Sequence, residues 1–89
     1  MKIDFTIAKC KTKATFSAKL KKPSKLDLAK IRTSFEVIVD TPIVVVVKIE
    51  NIEVIVHGFG ELLFKQEAKI ELLEQIARKI YAIGLENQD

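Results

Sequence analysis

Only one histidine, His57, and one cysteine, Cys10, occur among the 89 residues. One His and one Cys cannot make a metal site of the usual four-ligand kind. No Ser/His/Asp arrangement can be argued from a single His at a strand end. Glu50, Glu67, Glu71 and Glu74 read as helix or turn surface, and Gly58-Phe59-Gly60 is too short to cradle a phosphate. Catalysis, a metal and a cofactor are therefore not expected. What remains is charge and apolar contact. Residues 1–32 carry nine Lys and Arg32 against Asp4 and Asp27, a sum of +8, whereas residues 33–89 carry five basic and ten acidic groups, a sum of −5. A basic front half suits a polyanion. The competing reading is a solvated, lysine-rich strand that discourages edge pairing. Lys9, Lys11, Lys13, Lys19, Lys21, Lys22 and Lys25 are the candidates for phosphate contact, and neutralising several phosphates makes binding steeply salt-dependent.

The length fits one domain, residues 1–89, with a modest core that partner surfaces often supplement. Hydrophobic residues make up 48% of the chain, too many for a disordered one. The longest apolar run is five residues, far short of a membrane span. Charges interrupt "MKIDFTIAKC", unlike a signal peptide. A lone Cys10 cannot form an internal disulfide, so a reducing cytoplasm is expected.

The elements that must position these groups follow from periodicity. Ile3, Phe5 and Ile7 alternate with polar residues. After a "CKTK" turn, Ala14, Phe16, Ala18 and Leu20 do the same, which predicts a hairpin. Pro23 breaks that strand. Ser24 is expected as an N-cap with Asp27 in the first turn, and Leu28, Ile31 and Phe35 predict a short helix over about 24–34. Three strands follow, "FEVIVD", "IVVVVKI" and "IEVIVH", the last two joined by Glu50-Asn51, a length suited to a tight hairpin. Gly58-Phe59-Gly60 turns into a last strand, "ELLFK", and Phe59 is expected to pack back onto the sheet. Ala68, Leu72, Leu73, Ile76, Ile80 and Ile83 form one stripe of a closing helix. Its first turn carries Glu67 and Glu71, and Arg78 and Lys79 are placed near its far end. Gly84 is expected to cap it.

The order ββ-α-ββββ-α predicts an α+β fold: a curved antiparallel sheet of five or six strands with two helices on one face. Parity sends Phe16, Ala18, Leu20, Ile43, Val45, Val47, Ile49, Ile52, Val54, Val56, Leu62 and Phe64 to the helices. It leaves Thr15, Ser17, Lys19, Val44, Val46, Lys48, Glu53, Ile55, His57, Leu63 and Lys65 on the opposite face. The run Ile43–Val47 is apolar on both sides, so something must cover the second. Val44, Val46, Ile55 and Leu63 are expected to form an apolar patch there, and contiguous exposed apolar surface usually marks a contact site.

From about Thr15 onward the chain resembles one repeat of the TATA-box-binding protein. The resemblance rests on "SKLDLAKI" at the first helix, "VVVVKI" in the strand ending in a basic residue, and "EQIARKIYAIGL" in the closing helix, in that order. It implies a sheet face that meets the DNA minor groove. In such saddles, phenylalanine wedges kink the duplex. Carried over, the wedge sites fall at Pro42 and near His57, neither of them phenylalanine. The phosphate-contacting base falls at Lys48, the groove-reading positions at Thr15 and Ser17, and later contacts at Leu63 and Lys65. The strand over Lys2–Lys9 is additional and is expected beside the Ala14–Leu20 strand.

Two functions are expected from this. One is a nucleic-acid module binding DNA or an RNA/DNA hybrid, with Lys19, Lys48 and Lys65 at phosphates, His57 against a base or phosphate, and Val44, Val46, Ile55 and Leu63 against sugars. The other is a protein-interaction or homodimerisation domain using the same face. The first is the leading expectation, from the family likeness and the basic front half, and the second is the alternative, motivated by Glu53 and the missing wedges. A small hydrophobic ligand is a weaker third, since no enclosed pocket can be inferred.

Overall fold

The computed structural model describes residues 4–9, 16–22, 24–66 and 68–85. It contains β1 (Phe5–Lys9), β2 (Phe16–Leu20), α1 (Leu28–Ser34), β3 (Glu36–Asp40), β4 (Val44–Ile49), β5 (Ile52–His57), β6 (Leu62–Phe64) and α2 (Ile70–Gly84). The fold is α+β. All neighbouring strands are antiparallel, in the order β1-β2-β6-β5-β4-β3. The added first strand pairs with β2 and holds that edge of the sheet. Thr15, Cys10, Lys11, Lys13 and Glu67 lie outside the described residues, as does the "CKTK" turn.

Alternation builds the core. Val45, Val47, Val54, Val56, Leu62 and Ala18 are fully buried on one side of the sheet, with Phe64 1% exposed. Ile31 of α1 and Leu73, Ile76, Ala77 and Ile80 of α2 close over them, so both helices share this face. Ile49 and Ile52 join this core, and Phe16 and Leu20 pack against it half-buried. Glu50 and Asn51 turn β4 into β5 with φ of 50° and 67°. Two consecutive positive φ values match the twist of a two-residue hairpin.

Four local expectations need correction. The first helix is capped by Asp27, not Ser24: the Asp27 carboxylate accepts from the Lys30 N–H at 3.2 Å. The residues before it are extended because their amides are committed to distant partners. Leu26 N–H donates to the Gly58 carbonyl at 2.8 Å and Asp27 N–H to the Gly84 carbonyl at 2.9 Å. Ile43 is not part of the buried core under the helices. It precedes β4 in a turn pinned by Thr41, whose hydroxyl accepts from Val44 N–H at 2.9 Å, and it is 73% exposed. Arg78 and Lys79 stand mid-helix rather than in the last turn of α2, which carries no basic residue. Arg78 instead lies 3.9 Å from Glu74 and 5.5 Å over the Phe5 ring. Gly84 is the final residue of α2, and Leu85 takes the cap position.

Tyr81 ties the helix layer to the sheet. Its hydroxyl lies 2.8 Å from the Gly60 carbonyl and 3.2 Å from the Ala18 carbonyl, with one proton to share between them. Burial, and secondarily the Glu61 charge, push this phenol above its ordinary value of 10.0. Gly60 has φ +112°, and a Cβ there would meet the Ser24 carbonyl oxygen at 2.8 Å. Only glycine fits that turn without strain.

Candidate contact face

The register of the strands sorts the helix-free face into three rows running across the sheet. The middle row is Val39, Val46, Ile55, Leu63, Ser17 and Ala8, each opposite the next in the ladder. On one side lies Glu36, Lys48, Glu53 and Lys65. Lys65 N–H donates to the Glu53 carbonyl at 2.9 Å, and the Lys65 ammonium is 3.3 Å from the Glu53 carboxylate. On the other side lies Val44, His57, Glu61, Lys19 and Thr6. His57 N–H donates to the Glu61 carbonyl at 2.9 Å, and Lys19 is 3.7 Å from the Glu61 carboxylate.

The expected residues Ser17, Lys19, Val44, Val46, Lys48, Ile55, His57, Leu63 and Lys65 therefore do share one face, but they are not equally available. Val46 is only 9% exposed and Ser17 only 8%. Neither belongs to the helix-side core cluster. Their ladder neighbours seal them laterally: Val39 and Ile55 flank Val46, while Leu63 and Ala8 flank Ser17. The accessible apolar strip is instead Val39, 47% exposed, with Val44, Ile55 and Leu63 half-buried. Val46 forms its floor.

Five residues of these rows were not assigned to this face from the sequence: Val39, Glu36, Glu61, Ala8 and Thr6. The ladder of β3 slips between Val37 and Val39. A bulge of this kind inserts a residue and reverses the parity on its far side. Val37 thus turns to the core, Glu36 to the open face, and Ile38 is left 44% exposed at the bulge. Strict alternation from Asp40 gives the wrong side for Glu36. Glu61 had a legible signal, since it stands two residues before Leu63. With Glu36 and Glu61 included, the described residues of these three rows are Glu36, Glu53 and Glu61 against Lys19, Lys48 and Lys65, so the formal charge of those described residues balances at zero with His57 neutral.

A separate apolar feature lies at the end of the sheet where β3 meets β4 and β5 meets β6. Phe59 stays 61% exposed, its contact with the sheet being a stack on His57 at the end of β5 with ring centroids 5.1 Å apart. The two turns are tied by Gly58 N–H donating to the Ile43 carbonyl at 3.1 Å. Ile43, Phe59, Pro42 and Leu28 line an open groove of about 550 Å³, together with Lys25 and Arg32. Arg32 is engaged already, pairing with Asp40 and donating to the Thr41 carbonyl at 2.9 Å.

Among the described residues no three His, Cys, Asp or Glu side chains gather closely enough to hold a metal ion. Among the same residues no helix is long and apolar enough to cross a membrane. No family model, curated protein or solved structure matches the chain.

Proposed function

We propose that the protein is a non-catalytic docking module whose open sheet face takes another protein surface. The observation that carries this reading is the charge balance around the apolar strip. Three carboxylates stand in the same rows as three ammonium groups, and two of the lysines are already paired within the sheet. A duplex-binding face needs a surplus of cations to displace the counterions of the phosphates. A protein interface needs an apolar centre with a polar, charge-complementary rim. The rows supply the second pattern.

A nucleic-acid reading keeps one specific support beside the resemblance to a TATA-box-binding protein repeat. Lys21, Lys22 and Lys25 are exposed on the β2–α1 connection, and Lys25 lines the groove that exposes Ile43 and Phe59. Apolar side chains at such a tip can enter between base steps. In this reading the contacts move from the face to its end. A cytoplasmic setting agrees with the single cysteine of either reading.

The two readings separate in one experiment. Methyl-labelled protein is placed in cell extract, and the Val39, Ile55 and Leu63 methyl resonances are followed. Broadening that nuclease treatment of the extract spares is the expected result. Broadening that nuclease removes, with salt-dependent binding to purified duplex weakened by Lys25→Ala, would overturn it in favour of nucleic acid.

A further inference from the structure

We infer that the occupant of the open face is a second copy of this chain, stacked sheet to sheet about a two-fold axis parallel to the strands. The inference rests on the docking reading above and names its partner. It comes from the order of charges along one row. Across β3, β4, β5 and β6 that row reads Glu36, Lys48, Glu53, Lys65, which is minus, plus, minus, plus. A two-fold axis along the strands, midway between β4 and β5, reverses the strand order and keeps each row in place. Glu36 then lies over Lys65 of the other copy, and Lys48 over Glu53. Every charge in the row meets its opposite.

The same operation treats the other rows consistently. In the apolar row Val39 meets Leu63 and Val46 meets Ile55, so no polar group is forced onto the strip. In the third row Val44 meets His57, and Glu61 meets Thr41 beyond the end of β3 while keeping its own-chain partner Lys19 at 3.7 Å. An axis perpendicular to the strands does worse, because it exchanges the outer rows and sets Lys48 over Val44. A contact made by the same patch on both copies is the commonest form of closed assembly. Stacked sheets separate by about 10 Å with strands within about 30° of alignment, a distance that valine, isoleucine and leucine side chains can fill from both sides. Charges at the rim of such a contact fix register and exclude wrong partners more than they strengthen it. Four strands at about 4.8 Å spacing give a patch about 19 Å across, toward the small end for specific interfaces. The dimer is accordingly expected to dissociate on dilution.

Charge reversal tests the register. Lys48→Glu alone places Glu over Glu53 twice, and Glu53→Lys alone places Lys over Lys48 twice. Mixed together, the two variants restore opposite charges at both crossings. By sedimentation equilibrium, the wild type should rise with concentration from 10.1 kDa toward twice that mass. Each single variant should remain at the monomer mass, and an equimolar mixture should regain association. Glu36→Lys with Lys65→Glu forms a second complementary pair, to be used if either variant of the first pair melts early by circular dichroism. A wild type that stays monomeric at every concentration overturns the inference while leaving docking onto a different protein intact. A dimer that survives both single reversals, or a mixture that stays monomeric, also overturns it.

Discussion

One strand presents two different surfaces. Val45 and Val47 of β4 are fully buried under α1 and α2, and their neighbours Val54, Val56 and Leu62 are equally closed. Val44 and Val46, on the same backbone, meet no helix. Val46 is sealed only by Val39 and Ile55 beside it, and Val39 is 47% exposed. Backbone hydrogen bonding is common to both surfaces, so it cannot explain the difference. Three-dimensional closure does. The covered face has neighbours above it and the open face has neighbours only alongside. The first stabilises the fold, and the second is the face proposed for docking.

The comparison breaks if substitutions on the two faces have equal effect. The largest expected loss is on the covered face. Phe64→Ala removes a ring that is 1% exposed and should cost about 3–5 kcal/mol in urea unfolding. Next is the turn that closes the sheet over the helix. Gly60→Ala forces a side chain onto a positive φ and against the Ser24 carbonyl, for roughly 1–3 kcal/mol.

Tyr81→Phe leaves the Gly60 and Ala18 carbonyls without their shared donor, at about 1–2 kcal/mol. It also sharpens the comparison through pH. Folding raises the Tyr81 phenol above its ordinary value of 10.0. Its contribution is therefore complete below that value. It is lost as pH climbs from there toward the higher folded value, because the unfolded chain releases its proton first. Wild-type stability should fall more steeply than that of Tyr81→Phe in alkaline solution. Parallel curves would contradict the buried hydroxyl.

Asp27→Ala removes the side-chain N-cap of α1 and should cost about 1 kcal/mol, seen as a lower thermal midpoint. The smallest effect is expected on the open face, where Val39→Ala should change stability by no more than about 0.5 kcal/mol.

Much of this division was legible before the fold was known. The alternation of β5, carried across the Glu50-Asn51 hairpin to the otherwise uniform run of β4, sets Val45, Val47, Val54 and Val56 on one face. Glu50-Asn51 announces a hairpin by length. Failures came where tertiary contacts overrode local pattern. Asp27 displaced Ser24 as cap because Leu26 and Asp27 amides were taken by Gly58 and Gly84. Ile43 left the core because Thr41 pinned a turn in front of β4. Glu36 crossed to the open face because of a bulge that no alternation reveals. That this strand, β3, received no face assignment from the sequence mattered most for function. Without Glu36 and Glu61, the face reads as basic and apolar, a surface for a polyanion. With them it reads as balanced, a surface for another protein. The shielding of Val46 likewise could not be seen from one strand, since its ladder neighbours come from β3 and β5.

The two faces can be compared directly with a soluble nitroxide that broadens any methyl resonance in contact with solvent. At high dilution, Val39, Ile55 and Leu63 should broaden while Val45, Val47 and Val54 stay sharp, and raising the protein concentration should protect the first set alone. Full protection of Val39, Ile55 and Leu63 at the lowest concentration would mean that the chain covers this face itself, and the contact surface described here would not exist.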